Sequence, residues 1–82
     1  MYSIELTQGA EKFLRKMPKE GSEIILRKIY SIRENPFPYV KKLKGQKFWR
    51  LRMGKYRAIV DILVVGRKIN VLRIGKRKNV YD

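Results

Sequence analysis

The 82-residue sequence contains no cysteine and no histidine. The first absence excludes a disulfide framework and a thiolate metal site. The second removes the commonest protein metal ligand and the side chain most often used as a general base near neutral pH. Acidic residues are scarce as well: there are seven, scattered, with neither calcium-loop spacing nor paired carboxylates. A metal-dependent nuclease is therefore not expected, and neither a metal nor a cofactor is assigned. No apolar run approaches the ~18 residues of a membrane span. Glu5, Glu11 and Lys12 interrupt the N-terminus before the apolar stretch of an export signal can form. The expectation is a soluble, cytoplasmic protein with no membrane partner. The length implies a single domain, 1–82, whose small core gives marginal stability.

Positive charge is what the sequence has in excess. Lys and Arg total 21, and the formal net charge is +14. The excess is uneven. Residues 1–40 carry seven basic and five acidic side chains, whereas residues 41–82 carry fourteen basic and two acidic ones. A solvated, charge-rich surface would mix signs. A half this one-sided fits a polyanionic partner better.

The pattern of apolar residues sets the organisation. Tyr2, Ser3, Ile4, Glu5 and Leu6 alternate as in a half-buried strand. Thr7 is a plausible N-cap for a helix starting at Gln8, in which Ala10, Phe13, Leu14 and Met17 form one stripe before Pro18 ends it. A second helix is expected over 19–33, with Ile25, Ile29 and Ile32 as its core face, widened by Leu26. The short turn between the helices implies a helical hairpin. Asn35, Pro36, Phe37 and Pro38 break the helical pattern. The period then changes to two, giving strands over 40–44, 48–53, 56–64 and 69–74. Gly45, Gly54-Lys55 and Val65-Gly66-Arg67 are the turns between them. The tail, 75–82, is basic. The predicted fold is α+β: an N-terminal strand, a two-helix hairpin, then a mainly antiparallel β-meander with the helices packed on one face.

A two-residue turn at Gly54-Lys55 would pair Met53 with Tyr56, Arg52 with Arg57 and Leu51 with Ala58. Trp49, Leu51, Met53, Tyr56, Ala58 and Val60 would then share the core face, so Trp49 and Tyr56 read as packing residues. Arg50, Arg52 and Arg57 would share the other face. Two arginines directly opposite repel each other and weaken the ladder, and an anion bound between them would cancel that repulsion. A looser turn would instead shift the register and separate Arg52 from Arg57. Lys76, Arg77, Lys78 and Tyr81 follow in the tail. Guanidinium groups bind phosphate oxygens bidentately, and tyrosine offers a ring for an unpaired base and a hydroxyl for proton transfer. These features alone indicate a nucleic-acid binder, and not yet an enzyme.

The segments Leu43-Lys44-Gly45, Trp49-Arg50-Leu51-Arg52-Met53-Gly54-Lys55-Tyr56-Arg57 and Ile74-Gly75-Lys76-Arg77, followed by Val80-Tyr81, resemble the RelE/ParE toxin superfamily, and the resemblance extends over nearly the whole chain. It implies the toxin of a type II toxin–antitoxin system. In RelE-like members this means a metal-independent endonuclease that enters the ribosomal A site and cuts mRNA by attack of a 2′-hydroxyl. Carried over by motif, the catalytic set would be Arg50, Arg52, Arg57, Arg77 and Tyr81. Arg57 would bind the scissile phosphate, Arg77 would stabilise developing charge or assist the leaving oxygen, and Tyr81 would stack on the base and orient the 2′-hydroxyl. Alternatively, Tyr81 is only a terminal residue. Lys41, Lys42, Lys44, Lys47, Lys55, Lys76 and Lys78 would contact RNA. The implied partners are a cognate, RelB-like, helical and acidic-leaning antitoxin, and the ribosome with its mRNA and rRNA. The sequence departs from the bacterial RelE pattern by having Arg50 and Arg52 where lysines stand there. Arginine keeps its proton at any ordinary pH, so these two residues suit electrostatic stabilisation better than base catalysis. The base would then be Tyr81, Lys55, Lys76 or a ribosomal group. Two other readings stay open: a ParE-like toxin acting on DNA gyrase, and an RNA-binding homologue without activity.

Overall fold

In the computed structural model, which describes residues 1–76, the strand β1 (Ser3–Leu6) is followed by helices α1 (Gln8–Arg15) and α2 (Lys19–Ser31). A 3₁₀ turn, Phe37–Tyr39, leads into β2 (Val40–Lys42), β3 (Trp49–Met53), β4 (Tyr56–Leu63) and β5 (Lys68–Lys76). The five strands form one sheet in the order β1-β5-β4-β3-β2. Consecutive strands from β2 to β5 pair antiparallel, while β1 returns to the far edge and runs parallel to β5. This is the α+β arrangement expected from the sequence. The expected meander gains one parallel neighbour, because the helical hairpin carries the chain across the sheet between β1 and β2.

Both helices cover one face of the sheet. Ala10 and Leu14 of α1 and Ile25, Ile29 and Ile32 in and after α2 are buried against Leu51, Met53, Ala58, Val60, Ile62, Ile69, Val71 and Ile74. Trp49 and Tyr56 pack at the margin of this core, Tyr56 edge-to-face with Phe13 at 6.0 Å between ring centroids. A smaller cluster, Leu43 and Ile59 with Phe48 and Leu72, lies on the opposite, open face. The two-residue turn Gly54-Lys55 closes the β3–β4 hairpin with Met53 opposite Tyr56, and Gly54 has the φ of +65° that such a turn needs.

The β4–β5 ladder contains an irregularity between Ile59 and Val60: Ile59 pairs with Arg73 but Val60 pairs with Val71, leaving Leu72 as the extra residue. Thr7 fastens this bulge to the start of α1. Its hydroxyl accepts from the Ala10 amide at 3.2 Å and donates to the Leu72 carbonyl at 2.8 Å, and its own amide donates to the Val71 carbonyl. The helix cap and the bulge tether are thus one side chain. Thr7→Val keeps the shape and removes both bonds. It is expected to cost about 2 kcal/mol and to lower Tm by roughly 8–16 °C in a domain of this size. Thr7→Ser should retain most of the stability. An unshifted melting curve for Thr7→Val would refute this account of the cap.

Candidate nucleic-acid interface on the open sheet face

Side chains alternate along a strand, so residues directly opposite each other share a face. Two rows cross the open face. In one, Lys41, Arg50, Ile59 and Arg73 lie on four successive strands. In the other, Arg52, Arg57 and Gly75 lie on three. Arg52 stands opposite Arg57, the register expected from the two-residue turn. The like charges therefore sit side by side, an arrangement that weakens the ladder.

The three arginines differ in exposure. Arg52 is exposed and Arg50 half-buried, while Arg57, in the central strand, retains only 8% of its surface. Arginines are seldom buried to this extent. On its other side Arg57 pairs with Gly75, which adds no side chain to that position of the row. A partly desolvated guanidinium interacts more strongly with an anion than one in bulk water does.

Charge changes sign along the sheet. Below the two basic rows the open face carries Asp61, paired with Asn70, and at the far edge Glu5, bonded to Lys68 at 3.3 Å. Around Arg50, Arg52 and Arg57 the strands contribute no carboxylate.

The lysines named from sequence divide between the two faces. Lys41 joins the basic rows. Lys44 and Lys47 lie in the exposed β2–β3 loop, and Lys47 reaches over the Phe48 ring to within 3.9 Å of Asp61. Lys42 pairs with Trp49 on the helix side, its ammonium 5.1 Å from the indole. Lys76 pairs with Tyr56, and Lys55 lies over the Tyr56 ring at 5.8 Å, which gathers both at the helix side of the sheet end. Arg77, Lys78 and Tyr81 fall outside the described residues.

Two residues that sequence reasoning missed belong to the rows. Gly75 was read only as the start of the tail. Arg73 is turned to the open face by the bulge, whereas strict alternation from Val71 would point it under the helices. The signal was present in the adjacent apolar pair Val71-Leu72, which interrupts the alternation of β5. If Arg73 contacts phosphate, Arg73→Ala should reduce the slope of log affinity against log salt for RNA by about 0.7–0.9. An unchanged slope would place Arg73 outside the interface.

Among the described residues no cluster of three or more Asp, Glu, His or Cys side chains could hold a metal ion. No described helix is long and apolar enough to cross a membrane.

Helices on one face of a five-stranded sheet and an arginine ladder on the other define the class as a small α+β protein with a basic, open sheet face. The family model for the ParE toxin of type II toxin–antitoxin systems, parDE, matches residues 4–81. The chain belongs to this family, within the RelE/ParE superfamily of toxins. It is 27% identical to the provisionally named toxin RelE1 of Methanocaldococcus jannaschii, over 98% of this chain and 94% of the relative. Its fold matches a chain in the crystal structure of the toxin–antitoxin complex RelBE2 from Mycobacterium tuberculosis, with a TM-score of 0.84 and 22% identity over 93% of this chain and 98% of that one. It also matches the archaeal RelE–RelB complex from Pyrococcus horikoshii OT3, with a TM-score of 0.80 and 24% identity over 96% and 98% of the two chains.

Proposed function

We propose that this toxin is a ribosome-dependent mRNA endonuclease that uses its open sheet face and no metal. The observation that carries the reading is the Arg52–Arg57 pair, set across the central ladder where folding alone disfavours it. A phosphodiester between the two guanidinium groups places one negative charge between the two positive ones and relieves their repulsion. When the neighbouring 2′-hydroxyl attacks phosphorus in line, the O5′ bond breaks and a 2′,3′-cyclic phosphate forms. Negative charge grows on the non-bridging oxygens, and donors already aimed at that position stabilise it. Arg50, Lys41 and Arg73 hold the flanking phosphates. None of these arginines removes the proton from the 2′-hydroxyl, and Lys55 and Lys76 stand on the other side of the sheet. The base is therefore assigned to Tyr81 or to the ribosome, with Arg77 assisting the leaving oxygen. A site without a strong base of its own depends on the ribosome to orient the phosphate.

The partner that silences it is an antitoxin with an acidic, amphipathic helical segment. The surface that suits such a segment is a groove of about 610 Å³ between the start of α2 and the β3–β4 hairpin. Met17, Ile24, Ile25, Met53 and Tyr56 make it apolar, while Lys28, Arg52 and Lys55 supply the basic rim. Since Arg52 lines the groove and also belongs to the arginine row, an occupant of the groove covers part of the phosphate site.

Primer extension on an mRNA translated by purified ribosomes tests the reading. Cuts within A-site codons, absent without ribosomes and lost with Arg52→Ala, are expected. The family match carries the name of ParE, so gyrase inhibition is the second reading. Intact mRNA together with blocked DNA supercoiling would replace the first by the second.

A further inference from the structure

Tyr39 stands out among the aromatic residues because the fold gives it little to do. Phe37, two residues earlier, packs edge-to-face on Trp49 at 5.3 Å between centroids. Tyr39 instead leaves 56% of its surface exposed, with the Lys28 ammonium 5.8 Å from its ring. An exposed cation–π contact is a weak stabiliser, so packing does not account for the ring.

Its position does. Tyr39 closes the 3₁₀ turn directly before Val40, whose strand partner Leu51 is the chain neighbour of both Arg50 and Arg52. Tyr39 thus lies at the sheet edge, next to the strand that carries Arg50 and Arg52. A pocket of about 240 Å³ opens at this point, lined by Pro38, Tyr39, Val40, Lys41, Arg50 and Arg52. It is smaller than the roughly 300–1,000 Å³ typical of drug-sized ligands, a size that suits one ring system. The mount is rigid. Pro36 and Pro38 fix the backbone on either side of Phe37, and the Tyr39 amide donates to the Pro36 carbonyl at 3.0 Å. A ring held in place loses little entropy when a ligand stacks on it.

We propose that Tyr39 is a base-stacking residue, and that the pocket between its ring and Arg50 and Arg52 receives the nucleobase next to the phosphate bound by the arginine row. This rests on the reading of the open face as an RNA site and adds a subsite to it. The ligand is single-stranded RNA, because only an unpaired base presents its face to an aromatic ring. The ring positions the strand and takes no part in bond making or breaking.

The test uses the whole protein and a fluorescent 2′-O-methyl RNA hexamer, which cannot be cleaved, at one fixed salt concentration. Tyr39→Ala should weaken binding about 10-fold, within the roughly 5- to 150-fold range of lost base stacking. Tyr39→Phe should bind within about 2-fold of the wild type, since the ring face is kept. A hexamer with one abasic position, moved along the strand, should at one register bind the wild type and Tyr39→Ala equally. Equal affinity of wild type and Tyr39→Ala for the intact hexamer would overturn the subsite, as would a Tyr39→Phe loss as large as that of Tyr39→Ala. Arg52→Ala in the same assay separates the two readings. If it weakens binding while Tyr39→Ala does not, the arginine site stands without the base subsite. If neither does, both readings fail.

Discussion

Arg57→Ala should reduce ribosome-dependent mRNA cleavage by a factor on the order of 10²–10³, the usual cost of deleting one preorganised donor to a developing oxyanion. Arg57 is the central member of its row, with Arg52 on one side and the side-chain-free Gly75 on the other. It is also the most buried arginine of the three, at 8% exposure, so its charge is the least screened by water. Its neighbours cannot replace it, because Arg52 is one strand away and solvated. The antitoxin groove, which Arg57 does not line, should bind its partner unchanged and so report that the variant is folded. Arg52→Ala provides the complementary sign. It removes a like-charge pair from the ladder and should leave stability unchanged or raise it by up to about 1 kcal/mol, while cleavage falls. Full cleavage by Arg57→Ala would remove the arginine row from the mechanism.

The pairing of Arg52 with Arg57 was legible in the sequence because a two-residue loop leaves one register. Once Gly54 and Lys55 are the turn, every opposite pair of the hairpin follows. The helices were legible for the same kind of local reason: Ala10, Phe13, Leu14 and Met17 repeat at helical spacing, and Pro18 and the Pro36–Pro38 region stop the pattern. Their ends were less sharp. α2 ends at Ser31, where Ser31 and Arg33 side chains bond to the Lys28 and Tyr30 carbonyls, two residues before the expected end. The strand expected over 40–44 ends at Lys42, because the Leu43 carbonyl accepts from the Gln46 amide at 3.1 Å and so starts the turn toward β3.

Non-local placement was what the sequence hid. Nothing within Ser3–Leu6 says that its partner is β5 or that the pairing is parallel; that depends on where the helices return the chain. Arg73 was hidden because a bulge is a relation between two strands, and Leu72 is extra only when counted against Ile59 and Val60. Tyr39 was hidden because the 3₁₀ turn after Pro36 interrupts the period-two pattern just before β2 begins. The functional face is therefore legible where turns fix it and obscure where the ladder is irregular. The tail roles of Arg77, Lys78 and Tyr81 rest on the sequence motif alone.

Ile24→Glu should free the toxin from its antitoxin, raising the dissociation constant of the complex by a factor on the order of 10² or more, as loss of a central apolar anchor does. Ile24 is 63% exposed on α2, directly over the groove. A large aliphatic side chain in that position contributes little to folding, so the substitution should leave Tm nearly unchanged. In a complex it would place a carboxylate against an apolar partner surface flanked by acidic residues, with both desolvation and repulsion opposing association. Cleavage on ribosomes should persist, because Ile24 lies on the helix side and the arginine rows on the other. The observable is a shift in the antitoxin concentration that halves cleavage: about 100-fold higher for Ile24→Glu, with the cleavage rate in its absence unaltered. Neutralisation at the wild-type concentration would show that the antitoxin does not use the groove. Arg52 makes the consequence directional. It borders the groove, the base pocket and the phosphate row together, so a helix seated in the groove and an RNA strand on the open face compete for one guanidinium. Antitoxin affinity should therefore fall as an RNA hexamer is added to the wild-type protein, and that competition should disappear in Arg52→Ala.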